Sequence, residues 1–225
     1  MLSFKTLLTN RGKDVITRVQ PNRLIKENNM DISSARVFMK EYFEKLYTKL
    51  SEEAPVALKM CDLPDDMLAD GADPAEEWNT WKLIPSAVTD EDIAGYEKEY
   101  GLKFPNCVKA FFSTCHHCFC GAVGRNMSDE PLAELDNAFN PHLTANGYLP
   151  FAWDVEGYYI RCVDLANMPD EENCPVVQFP HEELFDLQYE FEDNGEEIPG
   201  KQLEELAERV SDNFYAYLNS ILDSV

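Results

Sequence analysis

A chain of 225 residues, 44% hydrophobic and 27% charged, is long enough for a sizeable core, in one large domain or in a domain with a smaller addition. Its 42 Asp and Glu against 19 Lys and Arg leave a net charge of −23, a field that repels nucleic acid and anionic membrane and speeds encounter with a basic protein. No run approaches the ~18 apolar residues of a membrane span, and the N-terminus lacks a secretory pattern. Seven irregularly spaced cysteines read as free thiols, so a cytoplasmic location is expected.

The charge is uneven. Residues 1–50 carry ten Lys and Arg against five Asp and Glu, a net of +5, and the other 175 residues carry a net of −28. In the weakly patterned first thirty residues, Arg11, Lys13, Arg18, Arg23 and Lys26 cluster without an aromatic platform. Such a cluster reads as a solvated arm, or one that docks on the acidic part of its own chain, rather than as a nucleic-acid site. Phe38, Tyr42, Phe43, Leu46, Tyr47 and Leu50 then fall largely on one face at helical spacing. They predict a helix over about 33–52, with Asp31 or Ser33 as its cap. Residues 53–77, with Pro55, Pro64, Gly71 and Pro74 amid five aspartates, have the composition of a connector. The main boundary is placed there: a basic N-terminal extension over 1–77 and the principal domain over 78–225.

Thr89-Asp90-Glu91-Asp92 is a capping box, and Ile93, Tyr96 and Tyr100 line the helix that follows until Gly101, a residue suited to a left-handed end. Pro105 suits the first turn of a second helix whose buried face is Val108, Phe111, Phe112 and Cys115. After a loop over 121–147 the period becomes two. Tyr148–Trp153 and Tyr158–Leu165 predict a hairpin with Gly157 at positive φ, and Pro175–Phe179 a third strand. Phe185, Leu187, Tyr189 and Phe191 alternate with polar residues and predict a fourth. A long helix closes the chain, its stripe being Leu203, Leu206, Val210, Phe214, Tyr217, Leu218 and Ile221. Helices around mostly antiparallel strands make the class α+β.

The segment Leu83-Ile84-Pro85, the capped helix ending Tyr96-Glu97-Lys98-Glu99-Tyr100-Gly101, and Leu102-Lys103-Phe104-Pro105 before a second helix resemble the SUKH superfamily. That group includes a fungal cell-wall assembly regulator and many bacterial immunity proteins. The hairpin Leu149–Ile160, the strand Pro175-Val176-Val177 and the helix Phe214–Leu218 look like the family's sheet and C-terminal helix. The likeness spans roughly 78–222, with Gly121 as the counterpart of the glycine near which the family's second helix ends. Cys115–Cys118 and residues 182–200 depart from the pattern. The resemblance implies a mixed, mostly antiparallel sheet packed with helices and a non-enzymatic binding role. The bacterial members imply an immunity protein whose partner is a toxin, often a nuclease; the fungal member implies an intracellular regulator or scaffold.

Cys115-His116-His117-Cys118-Phe119-Cys120 is rich in zinc-type ligands, but no second ligand pair exists to complete a tetrahedron. On a continuing helix Cys115 and Cys118 share a face that the histidines do not. Core packing is the favoured reading and a metal-binding protein a further alternative, so no metal or cofactor is assigned. No nucleophile elbow or phosphate loop occurs, and no catalytic residue is assigned. Trp81, Trp153, Tyr158 and Tyr159 suit a core, while aromatics beside a turn and rimmed by acids also suit a binding hot spot. The expected partner face is Trp153, Asp154, Glu156 and Tyr158, with Glu97 and Glu99 as lesser contributors, and the expected partner is a basic protein such as a toxin domain.

Overall fold

A computed structural model describes residues 30–120, 123–193 and 196–225; the basic cluster over 11–26 and Gly121 lie outside them. Helix α1 (Ile32–Glu53) begins at Asp31, whose Oδ1 accepts the Ser34 N–H at 2.7 Å. Ala35, Met39, Tyr42, Phe43, Leu46 and Leu50 recur every three or four residues and form its buried face. The connector that follows is more than loop. It makes two 3-10 turns (Pro55–Leu58 and Asp65–Met67), and β1 (Lys59–Met60) pairs with β2 (Asn79–Thr80). Leu58, Met67 and Trp81 enter the same core as α1. Backbone bonds from Trp81 N to Leu58 O and from Lys82 N to Met67 O fasten the segment there.

Helix α2 (Asp90–Tyr100) carries both halves of its capping box and ends at Gly101 with φ +66°. Helix α3 (Asn106–Thr114) packs its phenylalanines against α1: the Phe43 and Phe111 rings lie 5.6 Å apart. It stops at Thr114, whereas the expected helix carried Cys115 on its buried face and ended near Gly121; Cys115 instead opens a strand, β4 (Cys115–Cys120). Strand β4 lies between β3 (Ile84–Pro85) and β5 (Gly124–Asn126). The stretch read as a loop over 121–147 also holds two short helices, α4 (Ala133–Ala138) and α5 (Pro141–Ala145).

The principal sheet runs β6 (Tyr148–Trp153), β7 (Tyr159–Asp164), β8 (Val176–Pro180), β9 (Glu208–Ser211), with every pairing antiparallel. The predicted hairpin is present, with Gly157 at φ +74°. Alternation sends Leu149, Phe151, Val163 and Val176 into the core shared with α1 and α3. Tyr148, Ile160, Cys162, Val177 and Phe179 face a second, smaller core.

Two expected elements are replaced. Residues 185–191 are not a strand: they belong to helix α6 (His181–Asp193), which buries Leu184 and half-buries Leu187 and Phe191 in the smaller core. Spacing of three and four fits those residues as well as spacing of two fits Phe185, Leu187, Tyr189 and Phe191, so alternation alone misread the segment. The terminal long helix is also divided, into α7 (Gly200–Leu206), β9 and α8 (Phe214–Ser224). Asn213 starts α8 by accepting the Ala216 N–H at 2.7 Å, and β9 takes the sheet edge that residues 185–191 leave vacant. Among the described residues no helix is long and apolar enough to cross a membrane.

Candidate functional site

The end of the β6–β7 hairpin is shaped by Asp154. Its backbone N–H donates to Tyr159 O at 3.0 Å, and its Oδ1 accepts the Tyr159 N–H at 2.9 Å, so one residue closes the turn twice. The tip projects outward, with Val155 80% and Tyr158 60% exposed and Glu156 beside them.

Trp153 owes its position to a bulge. The β6–β7 register shifts between Pro150 and Ala152, so Trp153 pairs with Ile160, on the side of the smaller core. Uninterrupted alternation from Leu149 and Phe151 would have turned it to the opposite face. There its Nε1 donates to Asn137 O at 3.0 Å, and its ring meets the His181 ring edge-on at 5.0 Å. His181 in turn donates its N–H to Tyr158 O at 2.7 Å, which sets the start of α6 against the hairpin end. A groove of about 400 Å³ opens beside Trp153 and Asp154, lined also by Arg125, Glu134, Asn137 and Val155. Arg125 is held in place by Glu134 at 3.5 Å. The hairpin end is thus an aromatic ledge with acidic residues at its rim, a combination suited to burying a partner's side chain while attracting its charge.

The four hairpin residues singled out from sequence therefore share one region, and Trp81 is fully buried in the core. The two glutamates of α2 lie elsewhere. Glu99 lines a different groove, of about 490 Å³, with Glu91, Asp92 and Tyr96. Glu97 points into the fold with its side chain 5% exposed, and its carboxylate receives Lys103 Nζ and Lys109 Nζ, each at 2.8 Å, and the Phe104 N–H at 2.9 Å. Burial alone would raise its pKa; these three donors outweigh it and hold the value at about 2. Sequence reasoning missed His181, Phe185 and Tyr189, because a strand reading puts Phe185 and Tyr189 on one apolar face with Leu187 and Phe191, whereas α6 turns Leu187 and Phe191 inward and leaves Phe185 and Tyr189 exposed.

The Cys/His run is a strand, not a helix end, so Cys115 and Cys118 face opposite sides. His116 lies on one side, with its Nε2 accepting the Ala87 N–H at 2.8 Å and its Nδ1 3.1 Å from Asn126 O. His117 lies on the other, against the rings of Phe43, Phe111 and Phe119, and neither of its ring nitrogens has a hydrogen-bond partner among the described residues. Burial pushes its pKa down to about 3, with His116 adding to the effect, so it is neutral near pH 7. Burial likewise raises the thiol of Cys115 to about 11 and that of Cys118 to about 12. Among the described residues no group of three or more His, Cys, Asp or Glu is placed to hold a metal ion.

Compared with known protein families, the chain matches the model of the SMI1 / KNR4 family (SUKH-1) over residues 87–220, from just before the α2 capping box to within α8. No curated protein and no solved structure matches it.

Proposed function

Because the chain belongs to the SMI1 / KNR4 family (SUKH-1), we propose that it is a non-enzymatic protein-binding domain, an immunity protein that neutralises a basic toxin in the cytoplasm. The contact face is the hairpin end, with Trp153 as its half-buried anchor, Tyr158 as its exposed aromatic, and Asp154 and Glu156 as its acidic rim. One observation supports this most: the exposed aromatic ledge stands on a chain of net charge −23, so attraction and burial act at the same place. Glu99, on its separate groove, is a secondary contact. Seven free thiols fit a reducing compartment.

Co-expression with the product of an adjacent toxin-type gene tests the reading. Rescue of growth is expected, with loss of rescue for Trp153→Ala combined with Tyr158→Ala. Failure of the unaltered chain to rescue would reject toxin neutralisation and favour the regulatory role of the fungal relative. The association rate for the partner should fall steeply between low and physiological salt, and a salt-insensitive rate would remove the acidic surface from the account.

A further inference from the structure

Helix α6 has three faces. Leu184, Leu187 and Phe191 turn inward to the smaller core. His181, Phe185 and Tyr189, four residues apart, form a strip on the helix surface, and Phe185 and Tyr189 are 58% and 63% exposed. Glu182, Asp186 and Glu190 follow the same spacing and run alongside that strip. In all, α6 carries six Asp and Glu and no Lys or Arg. The aromatic strip continues into the hairpin end, because His181 touches both Trp153 and Tyr158, and its ring lies 6.4 Å from that of Phe185.

Burying either aromatic inward would have been favourable by roughly 1.5–3 kcal/mol, yet α6 keeps both outward beside a row of carboxylates. Two occupants are disfavoured by this arrangement. A second copy would bring the same acidic helix and a further charge of −23 against it. A neutral apolar segment would bury carboxylates at the rim without compensation. An amphipathic segment carrying arginines satisfies both features at once, since its apolar side chains cover the aromatic rings while the planar guanidinium forks bond the carboxylates bidentately, as lysine does not.

Resting on the protein-binding reading above, we propose that the outward strip of α6, continuous with Val155 and Tyr158, is the docking face for an arginine-rich amphipathic segment of another protein. An apolar side chain of that segment lies on Phe185 and Tyr189, and its arginines lie along the acidic row.

The test titrates the full-length, isotopically labelled chain with three synthetic peptides of equal length: one alternating arginine with leucine, one lysine with leucine, and one arginine with serine. Amide shifts should concentrate at residues 155–158 and 181–190, and the arginine–leucine peptide should bind tightest. Phe185→Ser combined with Tyr189→Ser, both exposed and so tolerated by the fold, should weaken that peptide about tenfold, roughly the effect expected of a hot-spot pair. The same variant should change arginine–serine binding much less. Glu182→Gln combined with Asp186→Asn should weaken both arginine peptides. Shifts centred on the Glu91–Glu99 groove, or affinity unchanged by the aromatic variant, would overturn the assignment while leaving an acidic binding protein intact. Altered signals of residues 1–29 in the free aromatic variant would give the face to the chain's own basic segment, and a dimer lost on substitution would give it to a second copy; either overturns the proposal. Absence of binding by every peptide would reject the acidic-surface reading itself.

Discussion

Glu97 closes the turn between α2 and α3 from within, joining one carboxylate to the side chains of Lys103 and Lys109 and to the Phe104 backbone. Its pKa of about 2 lies below the ordinary 4.5, so the stability it contributes is complete above about pH 4.5 and is lost as pH falls toward 2. Glu97→Gln should cost about 2–3 kcal/mol at pH 7, and the difference from the parent in urea unfolding should shrink on acidification through that window. His117 has the opposite chemistry but also fails in acid. Its folded pKa of about 3 lies below the ordinary 6.5, so the unfolded chain takes up the proton first as pH falls. His117→Phe removes two ring nitrogens without partners among the described residues. Relative to that variant, the parent should lose about 2 kcal/mol between pH 7.5 and pH 5. Equal pH dependence in the two proteins would show that the imidazole is solvated.

Elements are joined here by single buried side chains. The Asn126 Nδ2 donates to Phe112 O at 2.8 Å and Cys115 O at 3.1 Å, and its Oδ1 accepts the Leu132 N–H at 3.3 Å. One amide therefore ties the end of α3, the start of β4 and the approach to α4. Asn126→Ala should destabilise by about 2–4 kcal/mol, since it leaves buried carbonyls and an N–H without partners; urea midpoints would show it, and Asn126→Asp should fail similarly because a carboxylate cannot donate. No periodicity announces such a residue. What was legible was local: the Thr89–Asp92 box, Gly101 and Gly157 each act through a few neighbouring bonds, and these were read correctly. Segments whose state depends on distant pairing were not. Cys115–Cys120 becomes a strand because β3 and β5 flank it, and residues 208–211 become one because β8 has an open edge. In the site, Trp153, Asp154, Glu156 and Tyr158 were legible as aromatics and acids around a turn. The side on which Trp153 lies was not, since a bulge reverses it, and α6 beside it was read with the wrong period.

Across the whole molecule, most ion pairs among the described residues are exposed on at least one side, and acidic residues outnumber their basic partners. Self-repulsion should therefore oppose folding at low ionic strength. Raising salt from 10 to 300 mM should lift Tm by several degrees (roughly 1 kcal/mol of screening); a falling Tm would mean that the ion pairs outweigh the repulsion. The same core also joins the two ends of the described chain. Lys49 Nζ donates to Leu222 O at 2.9 Å, the Phe38 and Tyr215 rings meet at 4.7 Å, and Phe111 stacks edge-on with Phe214 at 5.5 Å. During synthesis, α1 emerges well over a hundred residues before α8, which covers part of its apolar face. Until α8 has been made, Phe38 and Phe111 lack Tyr215 and Phe214 as closing neighbours, so this core closes only once that helix has left the ribosome. A chain ending at residue 212 should accumulate as an aggregation-prone intermediate rather than as a smaller folded domain, which limited proteolysis and dye binding would reveal.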